Sequence, residues 1–183
     1  KLENILAKMD GGIGAVCTSS GMGATTLAVM SIVSSGDEVI SVGGLFGGTY
    51  ALFTETLSRF GVSTTFFDVD EFDSIEAAVT DKTKIIFLES VGNPNMRLPD
   101  IRRIGEIASR HGVVLIVDNT ITPMSVKPLE LGADIVVYST TKIISGNASV
   151  LGGAAVFRAI DLEADDKFKS ERYQDIHKFI KKM

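Results

Sequence analysis

The chain has 183 residues, enough for about one domain with a sizeable core and too few for two complete ones. Hydrophobic residues make up 45% and charged residues 22%, and 18 glycines stand against 4 prolines, the balance of a folded globular protein with many tight turns rather than a disordered chain. The formal net charge of -5 has the wrong sign for a surface that binds nucleic acid by neutralising phosphates.

The single cysteine, Cys17, cannot form an internal disulfide, and with two histidines it is too little for the usual zinc ligand sets, so no metal is expected. Apolar stretches such as 113–117 are far shorter than the roughly 18 residues that cross a bilayer, and the amino terminus lacks a signal-peptide core. A cytoplasmic protein without a membrane partner is expected.

Taken in chain order, hydrophobic runs bounded by turn residues predict seven strands, at 13–17, 38–42, 63–67, 84–88, 113–117, 135–138 and 153–157. Runs that are apolar throughout, as at 113–117, predict strands covered on both faces. Helical patterns lie between them: an Ala-rich apolar stretch at 21–33, an amphipathic one at 50–60, a short one at 74–79, and 99–111, with Pro99 in the first turn and Gly112 beyond the end. The alternation predicts an α/β class with a mostly parallel sheet flanked by helices. From Arg158 onward 13 of 26 residues are charged, against 28 of the preceding 157, which places a boundary near Phe157. Within that tail Tyr173, Ile176, Ile180 and Met183 recur at three- and four-residue spacing and predict an amphipathic helix over 170–183, packed on the same domain or connecting to another.

The glycine-rich segments do not match nucleotide motifs. The run from Gly12 through Gly14 has Cys17 where the dinucleotide pattern needs glycine, a start at Gly21 and Gly23 fails at Thr26, and no glycine–lysine–Ser/Thr phosphate loop occurs. What survives is Ser19-Ser20-Gly21-Met22-Gly23 between a strand and a helix, where unpaired N–H groups and the helix dipole can hold a phosphate, although such a turn is also an ordinary connection.

Three polar clusters follow strands at their expected carboxyl ends, where open α/β sheets build sites: Glu89-Ser90-Val91-Gly92-Asn93-Pro94, Asp118-Asn119-Thr120, and Tyr138-Ser139-Thr140-Thr141-Lys142. An acid directly after the apolar run 113–117 needs a cationic or donor partner, because an unpaired buried carboxylate is costly. A lysine near a phosphate site serves as a point charge or, with a lowered pKa, as an amine that forms a Schiff base. Each residue alone has an ordinary role open to it, Asp118 capping a loop, Asn93-Pro94 starting a turn, Lys142 solvated at the surface. As a set they supply what pyridoxal phosphate requires: an imine-forming lysine, a carboxylate for the pyridinium nitrogen, and phosphate donors.

The segments Ser20-Gly21-Met22, Leu45-Phe46-Gly47-Gly48-Thr49-Tyr50, Glu89 with Asn93-Pro94-Asn95-Met96, Val117-Asp118-Asn119-Thr120, Pro128-Leu129-Glu130-Leu131-Gly132-Ala133-Asp134 and Ser139-Thr140-Thr141-Lys142 resemble, in the same order, the motifs of the cystathionine γ-synthase-like, Cys/Met-metabolism family of pyridoxal-phosphate enzymes. The resemblance runs through Phe157, and the segment after Lys142 together with Asp175-Ile176-His177-Lys178-Phe179 is most similar to the O-acetylhomoserine sulfhydrylase branch. It implies the large domain of the aspartate-aminotransferase fold (fold type I), with a seven-stranded, mostly parallel sheet, over residues 1–157. It also implies a charged connector over 158–183, with the family's N-terminal arm and C-terminal domain absent.

Carried over by position, the resemblance makes Lys142 the Schiff-base lysine and Asp118 the partner of the pyridine nitrogen, the two catalytic residues. Gly21 and Met22 offer N–H groups, and Ser139 and Thr141 hydroxyls, to the phosphate. Asn93 contacts the phenolic oxygen, Thr120 lies beside the ring, and Phe46 stacks on it. Phe46 stands where the family usually has tyrosine, so it stacks without exchanging a proton, and Asn147 stands where histidine is usual. The implied activity is γ-replacement on O-acetylhomoserine with sulfide to give homocysteine, in a homotetramer. Methionine γ-lyase, whose members tend to have cysteine where Gly48 stands, cystathionine γ-synthase or lyase activity, and a cofactor-binding domain without turnover are the alternatives.

Overall fold

The computed structural model describes residues 1–159, so the helix expected over 170–183 lies outside the described residues. All seven expected strands form, within one residue of their expected bounds: β1 (Gly14–Thr18), β2 (Glu38–Val42), β3 (Ser63–Phe67), β4 (Thr83–Glu89), β5 (Val114–Asp118), β6 (Ile135–Tyr138) and β7 (Gly153–Phe157). They make one sheet in the order β1-β7-β6-β5-β4-β2-β3. Strands β2 to β6 pair in parallel, while β7 runs antiparallel to both β6 and β1.

The continuous apolar runs follow from two covered faces. Along β5, Leu115 and Val117 join a core with Leu6, Ile75, Ile104 and Ile107, whereas Val114 and Ile116 join one with Val29, Phe53 and Leu57. Helices α1 (Leu2–Asp10), α5 (Phe72–Ala77) and α6 (Ile101–His111) supply the first face. The second is supplied by α2 (Gly21–Met30) and by α3 (Gly47–Ala51), which continues through a π-helical turn at Leu52–Thr56 into α4 (Leu57–Arg59). Phe53 meets Phe87 of β4 edge-on, with ring centroids 4.9 Å apart, a favourable aromatic geometry. Only the edge strand β3 is largely exposed.

Some helices differ from expectation. The segment at 50–60 starts earlier, at Gly47, because the glycine pair that reads as a loop is the first turn of α3. Pro99 lies outside α6: Asp100 is the N-cap and accepts the Arg103 N–H at 3.0 Å, a better end than a ring without a side-chain acceptor. Helix α1 was not expected; it stops at Gly11, whose φ of 73° suits a residue without a side chain.

A buried polar chain ties the strand ends together. The Tyr138 hydroxyl donates to Asp10 Oδ1 at 2.9 Å and accepts from Asn119 Nδ2 at 3.1 Å. Asn119 Oδ1 accepts from Thr122 at 2.7 Å, and Thr122 meets Ser90 at 2.8 Å. Burial raises the pKa of both Asp10 and Tyr138, and the other Asp10 oxygen is buried with no hydrogen-bond partner among the described residues. Tyr138→Phe removes the one hydrogen bond that carboxylate has among the described residues, so a loss of about 1–3 kcal/mol is expected, read as a lower urea midpoint of the full-length protein with unchanged slope.

Candidate active site

A cavity of about 310 Å³, at the small end of ligand-pocket sizes, opens at the carboxyl ends of β4, β5 and β6. Of the nine residues the motifs single out, Gly21, Met22, Phe46, Asn93, Asp118, Thr120, Ser139 and Lys142 all line it. They come from five separate chain segments, brought together because parallel strands present their carboxyl ends on one side.

Each wall has a local cause. Ser20 caps α2 by accepting the Gly23 N–H at 3.0 Å, so the N–H groups of Gly21 and Met22 face the cavity end with no hydrogen-bond partner among the described residues. A Cβ on Gly21 would lie 2.5 Å from Ser139 Cβ, which is why the helix start and the turn after β6 can share one end of the site only with glycine there. Thr120 sits between two neighbours: its N–H donates to Asp118 Oδ1 at 2.9 Å, and its hydroxyl oxygen accepts the Ser139 N–H at 2.8 Å.

Asp118 has the donor partner its position requires, in Thr120, and makes no salt bridge among the described residues. Burial pushes its carboxyl above the ordinary range, so the site favours a ligand that brings a cationic N–H to it. Lys142, in the turn after β6, is exposed and is the one lysine lining the cavity among the described residues. A helix start with unpaired N–H groups, a half-buried carboxylate and an amine on one cavity fit the phosphate, the ring nitrogen and the carbonyl of pyridoxal phosphate.

Thr141 is the exception. Its hydroxyl donates to Gly152 O at 3.2 Å and accepts the Gly152 N–H at 3.0 Å; it is buried and does not line the cavity. It holds the turn that carries Lys142 rather than facing a phosphate in this geometry. Conversely, Glu89 lines the cavity although the motif reading gave it no role. Its signal in the sequence is its place at a strand end, level with Asp118 only once β4 and β5 are paired.

Phe46 is 50% exposed at the cavity wall. A Cβ on Gly48 would lie 2.8 Å from the Phe46 ring, so Gly48→Ala is expected to displace that half-exposed ring while changing stability by less than about 1 kcal/mol. A crystal structure and a thermal melt of the variant check this.

These features define an α/β domain with a cavity suited to an anionic, carbonyl-bearing cofactor, lined by a helix start, a half-buried acid and a lysine. The chain belongs to the Cys/Met metabolism family of PLP-dependent enzymes, whose profile matches residues 1–174, and its cofactor is pyridoxal phosphate. It is 44% identical over 158 residues to an L-methionine gamma-lyase of Porphyromonas gingivalis, covering 85% of this chain and 40% of the relative. It is 45% identical over 157 residues to an O-acetyl-L-homoserine sulfhydrylase of Corynebacterium glutamicum, covering 85% of this chain and 36% of that one. A solved Campylobacter jejuni structure, assigned as an O-acetylhomoserine (thiol)-lyase and containing N'-pyridoxyl-lysine-5'-monophosphate, superposes with a TM-score of 0.88 at 38% identity, over 94% of this chain and 43% of that one. The chain thus spans about two fifths of the length of these relatives. No helix among the described residues is long and apolar enough to cross a membrane.

Proposed function

We propose that the full-length protein replaces the γ-substituent of O-acetylhomoserine with sulfide to give homocysteine, as a cytoplasmic homotetramer. The observation that carries the cofactor chemistry is the convergence of Lys142, Asp118 and the start of α2 on one cavity; the choice of γ-replacement rests on likeness to relatives such as the Corynebacterium enzyme. Bound pyridoxal phosphate supplies a carbonyl for the substrate amine and a ring that accepts electron density.

This chain's residues then have distinct tasks. Gly21 and Met22 N–H groups and the Ser139 hydroxyl hold the phosphate. Asp118 keeps a proton on the ring nitrogen, Asn93 orients the phenolic oxygen, Thr120 packs beside the ring, and Phe46 covers it as an apolar lid that cannot relay a proton. Lys142 would anchor the cofactor and, as a free amine, would move a proton between the substrate's α-carbon and the adjacent carbon. Exposed apolar side chains on loops after β4, β5 and β6, Met96, Leu98, Met124 and Leu151, support an assembly in which further protein covers this face.

The test adds pyridoxal phosphate to the full-length apoprotein, looks for a visible absorbance band, and assays homocysteine formed from O-acetylhomoserine and sulfide. A band without turnover leaves a cofactor-binding protein. Release of a 2-oxo acid and a thiol from methionine instead points to γ-elimination, the reading favoured by likeness to the Porphyromonas lyase.

A further inference from the structure

Glu89 ends β4 and pairs in register with Asp118 of β5, so two carboxylates stand side by side at the cavity. Only 6% of Glu89 is exposed. It accepts the backbone N–H of Phe46 at 2.6 Å, and the backbone N–H of Asn93 is near enough to favour its ionised form. These two donors belong to different loops, one after β2 and one after β4, and both residues line the cavity. Glu89 makes no salt bridge among the described residues, so its local bonding is directed at main chain rather than at a countercharge.

We propose that Glu89 is a positioning residue that fixes Phe46 and Asn93 against bound pyridoxal phosphate by holding both backbone N–H groups on one carboxylate. The inference rests on this cavity being the cofactor site. One buried acceptor that takes N–H groups from two loops crosslinks them, and bonds to an ionised acceptor are about twice as strong as neutral ones. Both residues need such a hold: Phe46 and Asn93 are exposed, and Phe46 is followed by two glycines.

Burial, reinforced by the charge of Asp118, pushes the Glu89 carboxyl up to about 7. The crosslink therefore strengthens as pH rises through neutrality and Glu89 ionises, and weakens below it. Among the described residues, Asp118 from β5 and Lys142 from the turn after β6 are the other ionisable side chains lining the cavity; α2 and α3 bring only neutral ones to it.

The test follows amide hydrogen exchange at Phe46 and Asn93 in the full-length protein, with and without pyridoxal phosphate, together with cofactor affinity and the visible circular dichroism of bound cofactor. Glu89→Ala is expected to speed exchange at both amides by about tenfold or more, to weaken cofactor binding by about tenfold, and to reduce the dichroism. Glu89→Gln keeps an accepting oxygen and the fold but no titration, so the protection of these amides, which rises in the wild type between about pH 6 and 8, becomes independent of pH. Exchange, affinity and dichroism unchanged in both variants overturn the proposal, as does a wild-type profile as flat as that of Glu89→Gln. A wild-type protein that gains no visible band with pyridoxal phosphate defeats the cofactor reading instead, and amide exchange in the cofactor-free protein then still decides whether Glu89 ties the two loops.

Discussion

Lys142→Ala is expected to abolish covalent attachment of pyridoxal phosphate and to lower turnover by at least about 10²–10⁴-fold, the range for a lost proton-transfer group, while leaving the fold intact. The turn that carries Lys142 is held by other atoms: the Lys142 N–H donates to Ser139 O at 3.2 Å, the Ser145 N–H to Thr140 O at 2.9 Å, and Thr141 is bonded to Gly152. The ammonium itself makes no salt bridge among the described residues, so its removal changes stability by about 0.5 kcal/mol or less. No other lysine among the described residues lines the cavity; Lys84 is bonded to Asp81 O and Lys127 to Met9 O. Borohydride reduction followed by peptide mass mapping is the direct check: cofactor mass on a peptide containing Lys142 in the wild type, and none on the variant. Cofactor fixed elsewhere on the variant chain would remove Lys142 from its role. Lys142→Arg should fail equally, because a guanidinium stays protonated and cannot act as the amine.

The parts of the architecture that were legible in the sequence are those whose cause is local. Runs such as 113–117 are apolar on both faces of the strand, so their pattern needs no knowledge of neighbours, and the strand-end rule then gathers Asn93, Asp118, Ser139 and Lys142 without a contact map. What escaped depends on tertiary geometry. Ser139, Thr140 and Thr141 all carry hydroxyls; only the turn decides that Ser139 faces the cavity and Thr141 faces Gly152. Glu89 acquires its meaning from the register of β4 against β5 and from the arrival of the Phe46 loop. Gly47-Gly48 reads as a loop because glycine disfavours helices, yet room for the Phe46 ring requires a residue without a side chain at Gly48.

Asp118→Asn should separate folding from catalysis by moving them in opposite directions. Burial raises the pKa of the native carboxyl, so the folded apoprotein binds this proton more tightly than the unfolded chain. Its favourable contribution is present in full below the unfolded pKa and is lost as pH rises through the folded one. At neutral pH the isosteric amide carries no such cost and still offers an oxygen to the Thr120 N–H, so the apo variant is expected to melt at or above the wild-type temperature. With cofactor bound the sign reverses. The amide donates a hydrogen bond to the ring nitrogen instead of keeping a proton on it, and loss of a buried charge partner costs about 3–5 kcal/mol, or about 10²–10⁴-fold in rate. The affinity for pyridoxal phosphate falls less, because Gly21, Met22 and Ser139 still hold the phosphate. The same substitution removes the repulsion Asp118 exerts on Glu89, so Glu89 titrates below about 7. Thermal melts of the apoprotein, cofactor titration, and solvent exchange of the substrate's α-proton by NMR read the three effects separately. α-Proton exchange as fast as in the wild type would take the ring-nitrogen role from Asp118, and a lower apo melting temperature would show that its carboxylate stabilises the fold.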